Sequence, residues 1–235
     1  MLQSDFEGVF DGVLQKIKDA EIISEPYPHI LIDKIFPENF YKEIQEKIPK
    51  IEEYSLKSKY PGRKTLTLES LDNLDKGKRE MWEQITNWIK SEKFAKVLLN
   101  KFSINKNGHS NFFLHKDLED FEVKPHTDLR SKLVTYLFYL PKDASMPGLG
   151  TDILIPRKDK EVHMTTEHQS WENFEIVKSS QYIPNSFFCF TPNENSFHAV
   201  KIKFPENCDK KERDTIRGFV FDKNNEDYPS YLFEK

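Results

Sequence analysis

The N-terminal part of the chain has the hydrophobic period of helices. Apolar residues there recur three or four positions apart, which places them on one face of an α-helix. Such stripes lie at residues 2–17, 36–48, 81–89 and 94–102. Pro37 stands at the first helical position of the second stripe, which proline favours, and Pro49 stops it. The pattern predicts three or four helices, with one short strand at residues 28–33.

From about Asn111 onward the period changes to that of β-strands. Runs rich in aromatic and β-branched residues occupy residues 111–115, 133–140, 151–156, 186–191, 198–203 and 215–222. The run at 133–140 is apolar on both faces, as expected for a strand that is covered on both sides. Between the two parts, residues 50–75 read as polar and irregular apart from residues 64–68.

These elements predict an α+β fold. The strands are expected to form a double-stranded β-helix of the jelly-roll kind, with the N-terminal helices packed on one side. We expect residues 1–104 to be a mainly helical elaboration and residues 105–235 to be the double-stranded β-helix core, within one structural unit. A chain of 235 residues is compatible with such a domain.

Composition narrows the class of protein. Charged residues make up 31% of the chain and its formal net charge is −4, so there is no electrostatic case for binding nucleic acid. No stretch reaches the length of a membrane span, and the first residues lack the features of a signal peptide. Cys189 and Cys208 are expected to be free thiols, because two cysteines do not make a disulfide framework. We therefore expect a cytoplasmic protein.

Residues 125–128 (Pro-His-Thr-Asp) carry the first chemical signal. In an extended segment, residues i and i+2 point to the same face, so His126 and Asp128 can hold one ion. His198, at the head of a later strand, is well placed to supply a third ligand. Two histidines and one carboxylate form the facial ligand set of non-haem Fe(II), which leaves coordination positions open. The sequence therefore predicts an iron site that performs oxygen chemistry.

Further segments follow in a fixed order, at residues 148–154, 184–190, 196–200 and 213–219. Together with residues 125–128, they resemble the iron- and 2-oxoglutarate-dependent dioxygenases, in particular the prolyl-4-hydroxylase-like branch. The resemblance covers roughly residues 105–222. The chain departs from that family at two points. Leu149 separates two glycines that are usually adjacent, and a polar loop at residues 204–212 lengthens the interval after His198.

The resemblance implies a cosubstrate as well as a metal ion. Arg213 and Thr215 match the family's Arg-x-Ser/Thr motif, whose arginine binds the distal carboxylate of 2-oxoglutarate while the hydroxyl assists. The planar guanidinium group of an arginine binds such a carboxylate through two parallel hydrogen bonds. Arg217 has the same strand parity and competes for the role. The implied reaction uses Fe(II), 2-oxoglutarate and O2, releases succinate and CO2, and hydroxylates an unactivated C–H bond. The presence of Asp128 favours hydroxylation over halogenation.

The prime substrate stays open at the level of sequence, between a protein side chain, a free amino acid, a sugar and a lipid head group. Two other classes fit part of the pattern: a cupin-like metal protein that acts without 2-oxoglutarate, and a non-catalytic jelly-roll binding module. The long connection at residues 157–181 is a candidate for substrate selection. Its histidines, His163 and His168, have no cysteine partners, so a zinc site is not expected there.

Overall fold

The computed structural model describes residues 3–54, 56–57, 60–162, 166–208 and 210–226. Within these ranges the helices are α1 (Gln3–Asp19), α2 (Glu38–Lys47), α3 (Lys76–Ile89) and α4 (Glu92–Lys101). Each of them matches one predicted stripe, although Leu2 lies outside the described residues. Pro37 is the N-cap residue of α2 and not its first helical residue. The side chains of Asp75 and Ser91 cap α3 and α4 by accepting hydrogen bonds from backbone N–H groups.

The strands follow the predicted order, with several additions. They are β1 (His29–Ile32), β2 (Leu56–Lys57), β3 (Arg63–Leu66), β4 (Gly108–Ser110), β5 (Phe113–Asp117), β6 (Glu122–His126), β7 (Lys132–Tyr139), β8 (Thr151–Pro156), β9 (Phe174–Ser180), β10 (Ser186–Phe190), β11 (His198–Lys201) and β12 (Arg213–Asp222). Short 3₁₀ helices occupy Ile51–Glu53, Leu68–Asn73, Pro147–Leu149 and Trp171–Asn173.

The strands form two antiparallel sheets. The larger, eight-stranded sheet has the order β1-β10-β7-β12-β5-β3-β2, with β4 paired to β12. The smaller, four-stranded sheet has the order β6-β11-β8-β9. The α+β class predicted from the sequence is therefore confirmed, with antiparallel pairing throughout the ladders of the described residues.

The larger sheet lies between the helices and the smaller sheet. Val134, Tyr136 and Phe138 of β7 belong to the apolar cluster that contains the buried apolar residues of all four helices. The alternate residues of the same strand, Leu137 and Tyr139, belong to a second cluster that reaches the smaller sheet. Because successive side chains of a strand point to opposite faces, β7 packs against both layers. The predicted double-sided burial of this strand and the packing of helices on one side are both confirmed.

Two parts of the chain are more ordered than the sequence suggested. Residues 50–75, expected to be largely irregular, contain β2, β3 and two 3₁₀ helices, and β3 pairs with β5. The connection at residues 157–181 includes β9, which pairs with β8 at the edge of the smaller sheet. Strands of this kind have a weak hydrophobic period in the sequence, so they are recognised only from their pairing with a neighbouring strand. Among the described residues, no helix has the length and apolar character needed to cross a membrane.

Candidate active site

Two neighbouring strands bring the three predicted metal ligands together. β6 ends at His126 and β11 begins at His198, and these two residues are direct cross-strand partners. Asp128 follows two positions after His126. One potential ligand atom from each of the three residues lies within 4.8 Å of the other two. The structure therefore places His126, Asp128 and His198 in one cluster that can hold a single metal ion.

Backbone carbonyl groups orient both imidazole rings. Nδ1 of His126 lies 2.9 Å from the carbonyl oxygen of Lys124, and Nδ1 of His198 lies 2.9 Å from that of Ser196. A carbonyl oxygen only accepts hydrogen bonds, so each Nδ1 carries a proton and donates it. Each Nε2 is left with its lone pair, which is the form that binds a metal ion.

The surroundings of the two rings keep them neutral. Burial lowers the pKa of His126 to about 3, and the neighbouring His198 contributes to the same effect. Burial also lowers the pKa of His198, against the opposing influence of Asp128. At neutral pH, a proton therefore does not compete with a metal ion for either Nε2.

Asp128 is held in its ionised form. Burial alone would raise the pKa of this carboxyl, but the ammonium of Lys132 and the two imidazoles hold it well below its usual range. Lys132 forms an ion pair with Oδ1 of Asp128, and the hydroxyl of Thr135 donates a hydrogen bond of 2.6 Å to Oδ2. The same Oδ2 lies 3.9 Å from Nε2 of His198. The cluster therefore offers two neutral nitrogen ligands and one anionic oxygen ligand.

A cavity of about 250 Å³ opens beside these ligands and is lined by residues of both sheets. Leu137, Phe190 and Val200 give it an apolar wall. Tyr60 and His168 also line it, with their rings stacked at a centroid distance of 5.8 Å. The ring of His168 lies 5.4 Å from that of His126. The predicted candidate loop for substrate selection thus contributes a residue next to the metal ligands.

Arg213, the predicted cosubstrate clamp, lines the cavity and is 1% exposed. Its Nε donates a hydrogen bond of 2.6 Å to the carbonyl oxygen of Leu149, and its Nη1 pairs with Asp117 at 2.6 Å. Its Nη2 is buried and has no hydrogen-bond partner within the described part of the chain. Oγ1 of Thr215 is likewise buried and unpaired there. The two predicted cosubstrate residues thus each present one unsatisfied polar atom.

Asp117 is shared by two arginines. Besides Arg213, it accepts hydrogen bonds of 2.6 and 3.0 Å from Nε and Nη2 of Arg63. Burial would raise the pKa of Asp117, but the two guanidinium groups lower it below its ordinary value. Arg63 also lines the cavity, with its guanidinium 4.0 Å from the ring centroid of Phe121. Strands β3 and β12 are therefore joined by a buried, three-membered charge cluster.

Arg217 is held differently from these arginines. Its guanidinium carbon lies 4.7 Å from the ring centroid of Phe219. No carboxylate of the described residues forms an ion pair with it, and its Nε is buried without a hydrogen-bond partner. Burial and the positive charge of Arg63 lower the pKa of Arg217 to about 10, so it stays protonated at neutral pH.

Sequence reasoning missed several residues that line the cavity. Arg63 lies in the segment expected to be irregular, in the strand Arg-Lys-Thr-Leu, where nothing in the sequence distinguishes it from a surface residue. Lys132 stands four residues after Asp128, a spacing that the sequence displays but that does not by itself predict an ion pair. His168 lies beside a metal ligand in the connection predicted for substrate selection, although the sequence did not single out this residue. His163 lies outside the described residues.

Comparisons with known proteins add to this geometry. No protein-family model matches the chain, and no curated protein is significantly similar to it. A solved prolyl-4-hydroxylase from Pseudomonas putida aligns with 91% of this chain and 98% of its own, at 11% identity and a TM-score of 0.51. SnoN, a non-haem α-ketoglutarate-dependent epimerase from nogalamycin biosynthesis, aligns with 93% of this chain and 81% of its own, at 8% identity and a TM-score of 0.50. The chain therefore has the fold of these oxygenase structures, and the predicted resemblance is confirmed at the level of fold.

Proposed function

We propose that the protein is an Fe(II)- and 2-oxoglutarate-dependent dioxygenase that hydroxylates an unactivated C–H bond and releases succinate and CO2. One observation carries the proposal. Two neutral imidazoles and an ionised carboxylate converge beside a cavity, in a chain whose fold matches a prolyl-4-hydroxylase. Two nitrogens and one carboxylate oxygen are the donor set of non-haem Fe(II), with open positions for a cosubstrate and O2.

The residues present fit an iron ion. His126 and His198 would bind it through Nε2, since both Nδ1 atoms are engaged with carbonyl oxygens. Asp128 would bind through a carboxylate oxygen, with Thr135 keeping the carboxylate in place. When bound, iron supplies the redox chemistry that couples O2 reduction to the decarboxylation of 2-oxoglutarate. Because the third ligand is a carboxylate and not a small residue, hydroxylation is favoured over halogenation.

The residues present also fit 2-oxoglutarate. Nη2 of Arg213 and Oγ1 of Thr215 are buried polar atoms without a partner in the described part of the chain, and leaving such atoms unsatisfied costs free energy. A carboxylate accepts hydrogen bonds from both groups and would satisfy them. Arg213 and Thr215 therefore remain our proposed ligands for the distal carboxylate. The apolar wall at Leu137 and Phe190 would exclude water from the reacting centre.

We also propose a fold, a domain division and a cellular location for this protein. The two antiparallel sheets would form a double-stranded β-helix of the jelly-roll kind. Residues 105–235 would be its core and residues 1–104 an N-terminal elaboration, within one unit. A reducing, cytoplasmic location agrees with two cysteines that are free thiols, Cys189 and Cys208.

Substitution of a metal ligand tests the proposal. In anaerobically reconstituted protein, His198→Ala should greatly weaken Fe(II) binding and abolish 2-oxoglutarate-dependent succinate formation, because two protein ligands hold the ion poorly. Bound iron is measured by metal analysis and succinate by mass spectrometry across a panel of amino acids, peptides, sugars and lipid head groups. His109→Ala, on β4 and outside the cavity, is the matched control.

Full activity in His198→Ala would refute the metal site. Iron binding without 2-oxoglutarate binding would favour a cupin-like metal protein instead. Absence of iron after anaerobic reconstitution would favour a non-catalytic module of the same fold.

A further inference from the structure

The charges that surround the cavity do not balance. Among the described residues, the cationic side chains that line it are Arg63, Lys132, Arg213 and Arg217, and the lining carboxylate is Asp128. Asp117, behind the wall, is the second carboxylate, and it pairs with Arg63 and Arg213. The histidines of the metal cluster each donate from Nδ1 to a carbonyl oxygen and would bind the metal ion as neutral imidazoles, so they add no charge. Two positive charges are therefore in excess.

Binding of the proposed cofactors would leave this excess unchanged. Fe(II) carries two positive charges and 2-oxoglutarate carries two negative charges, so together they add nothing to the net charge of the cavity. Uncompensated charge in a site of low dielectric is costly, and an anion that entered would relieve it. The remaining molecule that must enter the cavity is the prime substrate.

Arg217 is the cation best placed to meet that molecule. Arg213 and Arg63 are 1% and 7% exposed and share Asp117, whereas Arg217 is only partly buried and has no carboxylate partner among the described residues. Its guanidinium rests on the ring of Phe219. A guanidinium held by a ring face keeps its in-plane N–H groups available for a ligand.

Strand register places Arg217 close to the metal cluster. Phe219 is the cross-strand partner of Thr135, which donates a hydrogen bond to Asp128. Arg217 is the next residue on the same strand face, about 7 Å further along the strand, and Arg213 lies about 13 Å beyond Arg217. Two guanidinium groups with this separation along one strand have room for two different anions.

We infer that Arg217 binds an anionic group, a carboxylate or a phosphate, of the prime substrate. This inference rests on the proposed function and narrows its substrate class. It disfavours neutral sugars and unmodified proline side chains that carry no nearby acid. A molecule whose reacting C–H bond is close to an acidic group fits the cavity.

The test uses the full chain loaded with Mn(II) and saturated with 2-oxoglutarate, so that the proposed carboxylate site at Arg213 is occupied. Inorganic phosphate and ¹³C-acetate are then added as probes in separate samples. Binding near the metal is detected as paramagnetic broadening of the ³¹P or ¹³C signal. We expect broadening by the wild-type protein and an increase of about 30-fold or more in the dissociation constant for Arg217→Gln.

Controls separate this effect from loss of structure. Arg217→Lys keeps the charge and should retain part of the affinity. Arg79→Gln removes a positive charge from α3, outside the cavity, and should bind the probes as the wild type does. Thermal unfolding of each variant reports whether it folds. The stronger of the two probes identifies the substrate group as a phosphate or a carboxylate.

Calorimetric titration with 2-oxoglutarate distinguishes a substrate-binding role of Arg217 from the alternative that Arg217 binds 2-oxoglutarate. Arg217→Gln should bind 2-oxoglutarate normally. If it loses 2-oxoglutarate binding while Arg213→Gln does not, Arg217 is the clamp, and this inference fails while the proposed function stands. Equal broadening by wild type and Arg217→Gln, or none by either, also refutes the inference. Failure of the wild-type protein to bind 2-oxoglutarate would instead refute the proposed function.

Discussion

The two faces of strand β12 have opposite chemistry. Ile216 and Val220 face the helices and belong to the apolar cluster shared with them. Arg213, Thr215 and Arg217 face the other way, and each of them has a buried polar atom with no partner among the described residues. The first face is packed against apolar residues of the same chain, whereas the second presents three buried polar atoms that a ligand would satisfy. Substitutions on the helix-facing side should therefore change stability, and those on the cavity side should change binding.

The largest expected effect is on the helix-facing side. Phe138 is fully buried, with its ring centroid 4.6 Å from that of Phe187 and 5.2 Å from that of Phe36. Phe138→Ala should lower the free energy of unfolding by about 3–5 kcal/mol, because it leaves a cavity in a close-packed layer. Urea denaturation measures this loss. Metal affinity, measured under conditions where the variant is folded, should be unchanged.

The exposed apolar residue Ile176 on β9 provides a control for the first prediction. It is 56% exposed, so Ile176→Ala should change the free energy of unfolding by less than about 0.5 kcal/mol. A Phe138→Ala protein that is stable but has lost its metal affinity would show that the two faces of the sheet are not separable.

The second prediction concerns the cavity side. Arg213→Ala should weaken 2-oxoglutarate binding by roughly 30-fold to several thousand-fold, which corresponds to a charge-assisted pair worth about 2–5 kcal/mol. Mn(II) binding should survive, because Arg213 is not a metal ligand. Calorimetry with Mn(II)-loaded protein gives both constants, and Arg79→Ala is the matched control. Unchanged affinity for 2-oxoglutarate would exclude Arg213 as the clamp.

The smallest expected effect is a pH dependence of the free energy of unfolding, and it arises from a histidine on the cavity side of the sheet. His115 pairs with Thr215 across β5 and β12, and burial lowers its pKa well below the usual value, with the charges of Arg63 and Arg217 adding to the effect. Near pH 5 the unfolded chain binds a proton at His115 and the folded chain does not. The free energy of unfolding therefore falls as pH decreases below about 6.5, by on the order of 1–2 kcal/mol at pH 5.

His115→Gln isolates this contribution. The variant should lose less stability than the wild type between pH 7 and pH 5, as measured by urea denaturation of the metal-free protein. His126 and His198 act in the same direction in both proteins, so the difference between them reports His115 alone. Equal losses would mean that His115 is protonated in the folded state.

Two ligands of the metal cluster could be predicted from local geometry, and the third from its position at the head of a later strand. His126 and Asp128 lie two residues apart in an extended segment, and His198 opens a strand of matching character. The long apolar strand β7 and the helices could be predicted for the same reason, since each carries its own period. These features depend on the spacing of residues along the chain and only weakly on which residues pair with them across the sheet.

The charge cluster could not be predicted in this way. Arg63 and Arg213 are 150 positions apart in sequence order and meet only because β3 and β12 both pair with β5. Their shared partner, Asp117, is an ordinary acidic residue in the sequence. The pairing of the strands decides whether an arginine lies next to a carboxylate that neutralises its charge. The difference between Arg213 and Arg217 therefore becomes visible only in the folded chain.

The carboxylate of Asp117 also bears on how the protein can be shortened. Arg63 lies N-terminal to the proposed core at residues 105–235, and it donates two of the hydrogen bonds that this carboxylate accepts. A fragment that starts at residue 105 would keep every proposed metal and cosubstrate ligand but would lose Arg63, together with the strands that cover β5 and β10. Strand edges left open in this way promote aggregation. Minimal versions of this protein for screening or engineering should therefore retain the N-terminal strands, although no proposed metal or cosubstrate ligand lies on them.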